Sequence, residues 1–344
     1  MPRMRAVTFG AFGSPEVLQV SEIEQPAPGA GEVLVRVLAA GICYHDVLSR
    51  AGKIGGKPGR ILGHEIAGEI IAVGAGVASG RVGERVVLYQ RLSCGSCRCC
   101  LRGRHDLCRN SRVLGEEGAG GYAQFTCVPA RNAIPIPPEL DMTAAALAVC
   151  PVGTSVRAAL GVAGIAPGQC VLVTGAGGGL GLHQIQVAKS VQARVIGVTS
   201  SNDKADTVRQ VGADDVIVSP DLKFSAEAWR LTQKQGVDAV LDNVVTGTFR
   251  ESLRSTAQNA IVVVLGNIDA LPVELDPGLV IMRRIRIAGS GNATFADVDT
   301  ALALLVAGKV KPCIGCILPF PKAAEAHALL ERRAVSGRIV LQGW

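Results

Sequence analysis

"CVLVTGAGGGLGLHQIQVAKS" occupies residues 170–190 and changes chemical character three times. "CVLVT" is a short apolar run with β-branched residues, the pattern of a buried strand. "GAGGGLG" at 175–181 follows, and then "LHQIQVAKS", with apolar residues at helical spacing (Leu182, Ile185, Ala188). Strand, glycine turn and helix in that order are the setting a dinucleotide pyrophosphate needs. Small residues let the backbone approach it, and the helix N-terminus attracts its charge. Gly175, Gly178 and Gly181 give GxxGxxG, a variant of the usual GxGxxG spacing. Gly179 and Leu180 share this turn, and Thr154, Gly266 and Asn267 are further candidates for cofactor contact. His183 reads as a helix-face residue.

The alternation continues outward. "RVIGVT" at 194–199 reads as a strand and "DKADTVRQV" as a helix, with further strands at "VIV" 216–218, "VDAVLD" 237–242 and "AIVVVLG" 260–266. Repeated strand–helix units predict a doubly wound parallel sheet, a Rossmann domain over about residues 153–292. At the end of its second strand an acid would accept bonds from the ribose of NAD. This chain instead has Thr199, Ser200, Ser201 and Lys204. Hydroxyls and an ammonium suit a 2′-phosphate, so NADP(H) is expected ahead of NAD(H), which stays open; Asp203 is a nearby opposing charge.

The 344 residues suffice for two domains. No apolar run is long enough to span a bilayer, so no membrane partner is expected. The start, "MPRMRAVTFG", carries no apolar stretch suited to secretion, and a cytoplasmic enzyme is expected. The net charge of +6 is dispersed, without a basic block interleaved with aromatics, which argues against nucleic acid as a partner.

In such a compartment eleven cysteines point to metal binding or burial rather than disulfides. "CGSCRCCLRGRHDLC" at 94–108 contains Cys94, Cys97, Cys100 and Cys108, spaced C-x2-C-x2-C-x7-C. Four thiolates on a glycine-containing loop wrap one structural zinc, and Arg98, Arg102 and Arg104 offset part of their charge. Cys99 is spare, and His105 reads as a solvated loop residue because four sulfurs already fill the shell. Cys43, His64 and Cys150 stand apart from that cluster, and Asp46 and Glu65 lie beside the first two. Taken singly these are weak signals, because a lone cysteine commonly fills a core. "CIGC" at 313–316 reads as two ordinary thiols, Cys127 and Cys170 as core, and Tyr44 and Tyr89 as either pocket or packing residues.

Taken together, "GICYHD" (41–46), "LGHEIAGEI" (62–70), "VGERV" (82–86), the four-cysteine lobe, "GGYAQF" (120–125), "CPVGTS" (150–155) and the glycine turn resemble the zinc-containing medium-chain alcohol dehydrogenases and reductases over nearly the whole chain. The resemblance implies a GroES-like β-barrel catalytic domain at 1–152, to which 293–344 returns, with the site in the cleft between domains. It implies two zinc ions per chain, the catalytic one held by Cys43, His64 and Cys150, with Glu65 able to swing onto the metal. It also implies a homodimer or homotetramer. Two positions depart from the family. His45 stands where a Ser or Thr usually relays the alcohol proton, and Leu48 replaces a further relay histidine.

Three functions follow as expectations: an NADP(H)-linked alcohol dehydrogenase or carbonyl reductase, an enoyl-thioester reductase, and a non-enzymatic NADPH-binding protein. The second rests on a likeness to acryloyl-CoA reductases through "CYHD", "LGHEIAG", "VIGVTSS", "LGN" and "GKVKP". The altered relay positions favour it, whereas the retained Cys43, His64 and Cys150 favour carbonyl chemistry. In each enzymatic case the partner is a small molecule: alcohol, aldehyde, ketone or enoyl thioester.

Overall fold

The computed structural model describes residues 2–266, 269 and 271–344. Two compact units result. One comprises Met1–Cys150, Thr294–Val306 and Ile314–Trp344, the other Pro151–Ala293 and Ala307–Cys313. The C-terminal stretch is therefore interrupted, because Ala307–Cys313 belongs with the second unit.

In the second unit six strands form a wholly parallel sheet: Cys170–Val173, Arg194–Thr199, Asp215–Val218, Val237–Asp242, Thr256–Val264 and Arg286–Gly289. Numbered in chain order they lie 3-2-1-4-5-6 across the sheet, the dinucleotide-binding order. Its central strands are covered on both faces. Val171, Leu172, Val173, Val240 and Leu241 are fully buried, and each such side chain contributes about 1.5–3 kcal/mol of transfer free energy. The fifth strand begins at Thr256, earlier than the apolar run starting at Ala260, because it follows directly on the helix Phe249–Ser255.

Asp242, fully buried at the end of the fourth strand, ties these layers together. Its carboxylate accepts from Thr174, Thr248 and Ser252 hydroxyls and from the Val245 N–H. The helix Gly181–Ser190 holds Ala307–Cys313 through polar bonds. The Gln186 side-chain amide pairs with both backbone groups of Lys311, and His183 Nε2 accepts from the Cys313 N–H. His183 Nδ1 donates to the Gly179 carbonyl at 2.6 Å, so this helix-face histidine is a buried strut.

The first unit is built on a seven-stranded sheet. Its longest strand, Glu32–Ile42, pairs antiparallel with Glu65–Val73, Phe125–Pro129 and Arg338–Gln342. Val33, Val35 and Val37 alternate inward, whereas Arg36 faces out to pair with Glu69. The helix Phe295–Val306 buries Val298, Ala301, Leu302 and Leu305, an amphipathic spacing. Among the described residues no helix is long and apolar enough to cross a membrane.

Candidate active site and metal centres

Strand register brings the first cluster together. Gly41 pairs with Glu65 across the sheet. Cys43, two residues after Gly41, and His64, one before Glu65, thus emerge at the same sheet end. Cys43 also opens the helix Tyr44–Arg50, where the Asp46 carboxylate accepts the Cys43 N–H at 3.0 Å. Cys150 arrives from a wide helical turn, Ala148–Gly153. The donor atoms of Cys43, His64, Glu65 and Cys150 all lie within 4.8 Å of one another. A carboxylate oxygen of Glu65 would sit 2.1 Å from a Cβ placed on Gly41, so glycine there makes room for the acid.

His64 Nδ1 donates to Asp46 Oδ1 at 3.0 Å, so Nε2 is the ring nitrogen left to serve as a ligand once its proton is displaced by a metal. Two thiolates, an imidazole and a carboxylate form a donor set that suits zinc, so the residues fit the metal the motifs imply. Burial opposes charge on His64, but the neighbouring Asp46 and Cys43 outweigh it and hold the imidazole well above its usual range. The hydrogen bond from Cys150 pulls the Cys43 thiol down, helped by the Arg338 guanidinium, while Cys150 is pushed up by the same pairing and by burial. Burial raises Glu65 to about 7 despite Arg338.

Arg338 is absent from the sequence reading. It is buried, donates to both oxygens of Glu65 at 2.7 and 3.1 Å, and lies 3.7 and 3.8 Å from the sulfurs of Cys43 and Cys150. It is one of many arginines, 273 positions from Glu65, so no local pattern marks it. Glu116 was also missed. It pairs with His45, whose ring is 44% exposed and sits edge-on to His64 at 5.7 Å. Burial opposes charge on His45, but the Glu116 hydrogen bond raises its pKa. Leu48 and Ser49 are buried. Tyr89, read as either a pocket or a packing residue, is fully buried and stacked on Phe295 at 4.2 Å.

In the cysteine lobe the sulfur separations are 3.5 Å (Cys97–Cys100), 3.6 Å (Cys94–Cys108), 3.8 Å (Cys97–Cys108) and 3.9 Å (Cys94–Cys100). A tetrahedron with Zn–S bonds of about 2.3 Å has edges of about 3.8 Å. The four sulfurs are therefore already spaced for one ion. Cys99 lies outside the set. His105 is not solvated as expected: it is half-buried, bonded to Ser93 Oγ at 2.9 Å and edge-on to Phe295.

In the other unit Gly175 adopts φ +58°, and a Cβ on Gly181 would meet the Gly175 carbonyl at 2.5 Å. The turn thus needs glycine at both ends. Gly178 donates to Gly175 O, and Leu180 precedes the helix that starts at Gly181. The short helix Thr154–Val156 packs against that helix. Gly266 lies tight against the Asn243 carbonyl; Asn267 is outside the described residues. At the second strand's end Thr199 is buried and its hydroxyl bonds within the turn. Ser201 caps the helix Asn202–Gln210. Ser200 is exposed, and the Lys204 side chain lies over Gly177.

Comparison with known proteins agrees with both halves. Residues 29–138 match the alcohol dehydrogenase GroES-like domain, and 179–307 match the zinc-binding dehydrogenase domain. The chain is 34% identical to an acryloyl-coenzyme A reductase of Metallosphaera sedula, over 96% of its length and 97% of the relative's. It is also 34% identical to an NAD-dependent alcohol dehydrogenase of Saccharolobus solfataricus, over 98% and 99%. The crystal structure of AibC superposes with a TM-score of 0.93 at 42% identity, covering 99% of this chain and 96% of that one. The chain belongs to the zinc-containing medium-chain alcohol dehydrogenase and reductase family.

Proposed function

We propose that this oxidoreductase is a zinc-dependent alcohol dehydrogenase or carbonyl reductase that transfers hydride between NADP(H) and an alcohol, aldehyde or ketone. The observation that carries the reading is the convergence of Cys43, His64, Cys150 and Glu65 within 4.8 Å, with His64 oriented by Asp46. Zinc held there would act as a Lewis acid on the substrate oxygen. The chain's own residues supply the remainder. Cys43, His64 and Cys150 would be the ligands, while Arg338 keeps Glu65 paired. His45, raised in pKa beside Glu116, is exposed enough to exchange a proton between substrate and solvent. The glycine turn Gly175–Gly181 would take the dinucleotide pyrophosphate, with Ser200 and Lys204 toward a 2′-phosphate. Cys94, Cys97, Cys100 and Cys108 would hold the second, structural zinc. Exposed Ile281, Met282 and Ile287 near the edge strand Arg286–Gly289 support self-association as a homodimer or homotetramer.

A second reading, NADPH-dependent reduction of an enoyl thioester, is favoured by the His45–Glu116 pair in place of the hydroxyl relay. Its support from relatives is the likeness to acryloyl-coenzyme A reductase.

One panel separates them: NADPH oxidation with aldehydes, ketones and acryloyl-CoA, for wild type and Cys43→Ala. The expected result is carbonyl reduction by wild type that falls at least a hundredfold in the variant, as loss of a metal ligand should produce. Unchanged turnover in Cys43→Ala would sink the zinc reading. Activity with acryloyl-CoA alone would select the second.

A further inference from the structure

We infer that Tyr122 and His327 are positioning residues for the Cys43/His64/Cys150 metal site, forming with Asp46 a buried donor chain that fixes the orientation of His64. The inference rests on the zinc reading above and extends it by two side chains from distant parts of the sequence.

Asp46 is the pivot. Its Oδ1 accepts from His64, and its Oδ2 accepts from the Cys43 N–H at 3.0 Å and the Tyr122 hydroxyl at 3.2 Å. The first two donors belong to the ligand-bearing segments themselves. Tyr122 comes from elsewhere in the sequence and ties the carboxylate to a third segment of the fold. Tyr122 is itself fixed at its backbone, where its N–H donates to Leu62 O at 3.0 Å and Gly121 N–H donates to Gly63 O at 2.8 Å. Its ring occupies the space a side chain at 63 would need. A Cβ on Gly63 would lie 2.5 Å from the ring, and that glycine has φ +93°. The residue before the ligand His64 is thus shaped around this tyrosine.

Tyr122 has one hydroxyl proton, and it donates that proton in a hydrogen bond to Asp46. The phenol oxygen then accepts from His327 Nε2–H at 3.3 Å, with the two rings edge to face at 5.9 Å. His327, on the helix Ala323–Glu331, is fully buried, as is Tyr122. Its Nδ1 has no hydrogen-bond partner among the described residues, which is consistent with a neutral ring protonated on Nε2. Donation therefore runs one way, from His327 through Tyr122 to Asp46, and such chains polarise each member. Partners beyond the ligands typically alter metal affinity 10–100-fold when removed.

The test is zinc competition against a chromophoric chelator on the full chain loaded with two zincs, with thermal unfolding of each variant in parallel. Tyr122→Phe keeps the ring and removes the hydroxyl. We expect one of its two zincs to bind about tenfold more weakly, while the lobe zinc is unchanged. His327→Leu should give a smaller loss at the same zinc, and His327→Gln, whose amide N–H reaches where Nε2 lies, should restore it. Tyr122→Phe/His327→Leu should be no worse than Tyr122→Phe. The inference fails if Tyr122→Phe holds both zincs as tightly as wild type. It also fails if both zincs loosen together with the melting temperature, or if His327→Leu and His327→Gln behave alike. A wild-type chain that retains only the lobe zinc would remove the site reading and this inference together.

Discussion

His327 shows how much a single buried position can hide. In sequence it is one histidine on a short amphipathic helix, "AAEAHALLE". In the fold its burial, only partly countered by Asp46, lowers its pKa to about 4. The unfolded chain binds a proton at the ordinary pKa near 6.5, which the folded chain refuses until about pH 4. Stability should therefore fall as pH drops through that window, by about 2 kcal/mol between pH 7 and pH 5. Urea midpoints at those two pH values check this, and His327→Gln should flatten the difference; the same midpoint change with pH in wild type and variant would refute the assignment. Cys43, His64 and Glu65 were legible because glycine-flanked motifs mark them. Arg338, Glu116, Tyr122 and His327 were not, because their roles come from neighbours far away in sequence.

At the scale of elements, the strand–turn–helix of 170–190 was readable because its determinants are local: β-branched burial, a positive φ at Gly175, and helical spacing. The polar turn after Arg194–Thr199 was readable only in part. Its composition argued for four phosphate-binding groups, yet Thr199 and Ser201 spend their hydroxyls on the turn and the helix cap. The exposed hydroxyl left in this turn is Ser200, so cofactor choice is expected to respond to changes there. Ser200→Asp places a carboxylate where a 2′-phosphate is expected. It should lower kcat/KM for NADPH relative to NADH by at least tenfold, as repulsion of about 1.4 kcal/mol or more would do. Steady-state kinetics with both cofactors measure it, and an unchanged ratio would count against the NADP preference. The late strand start expected at Ala260 missed because Thr256–Asn259 are polar or small, and pairing geometry rather than hydropathy extends the strand to Thr256.

Across the molecule, metal and stability should couple unevenly. The four lobe sulfurs come from one short loop in the first unit, whereas the six-stranded sheet is built without them. Stripping zinc with a chelator should raise hydrogen exchange around 85–115, leaving the strands at 170–264 protected. Mass-spectrometric exchange reads both regions, and equal loss in both would contradict this independence. The sequence by itself determined what depends on near neighbours: the alternating strands and helices, the glycine turn and the four-cysteine loop. Tertiary structure alone decided which distant charges and hydroxyls surround those motifs. Arg338 reaches Glu65, and His327 reaches Tyr122, because sheet register and helix packing bring them within 3.5 Å. Contacts made across hundreds of residues leave no periodic trace in the chain that makes them.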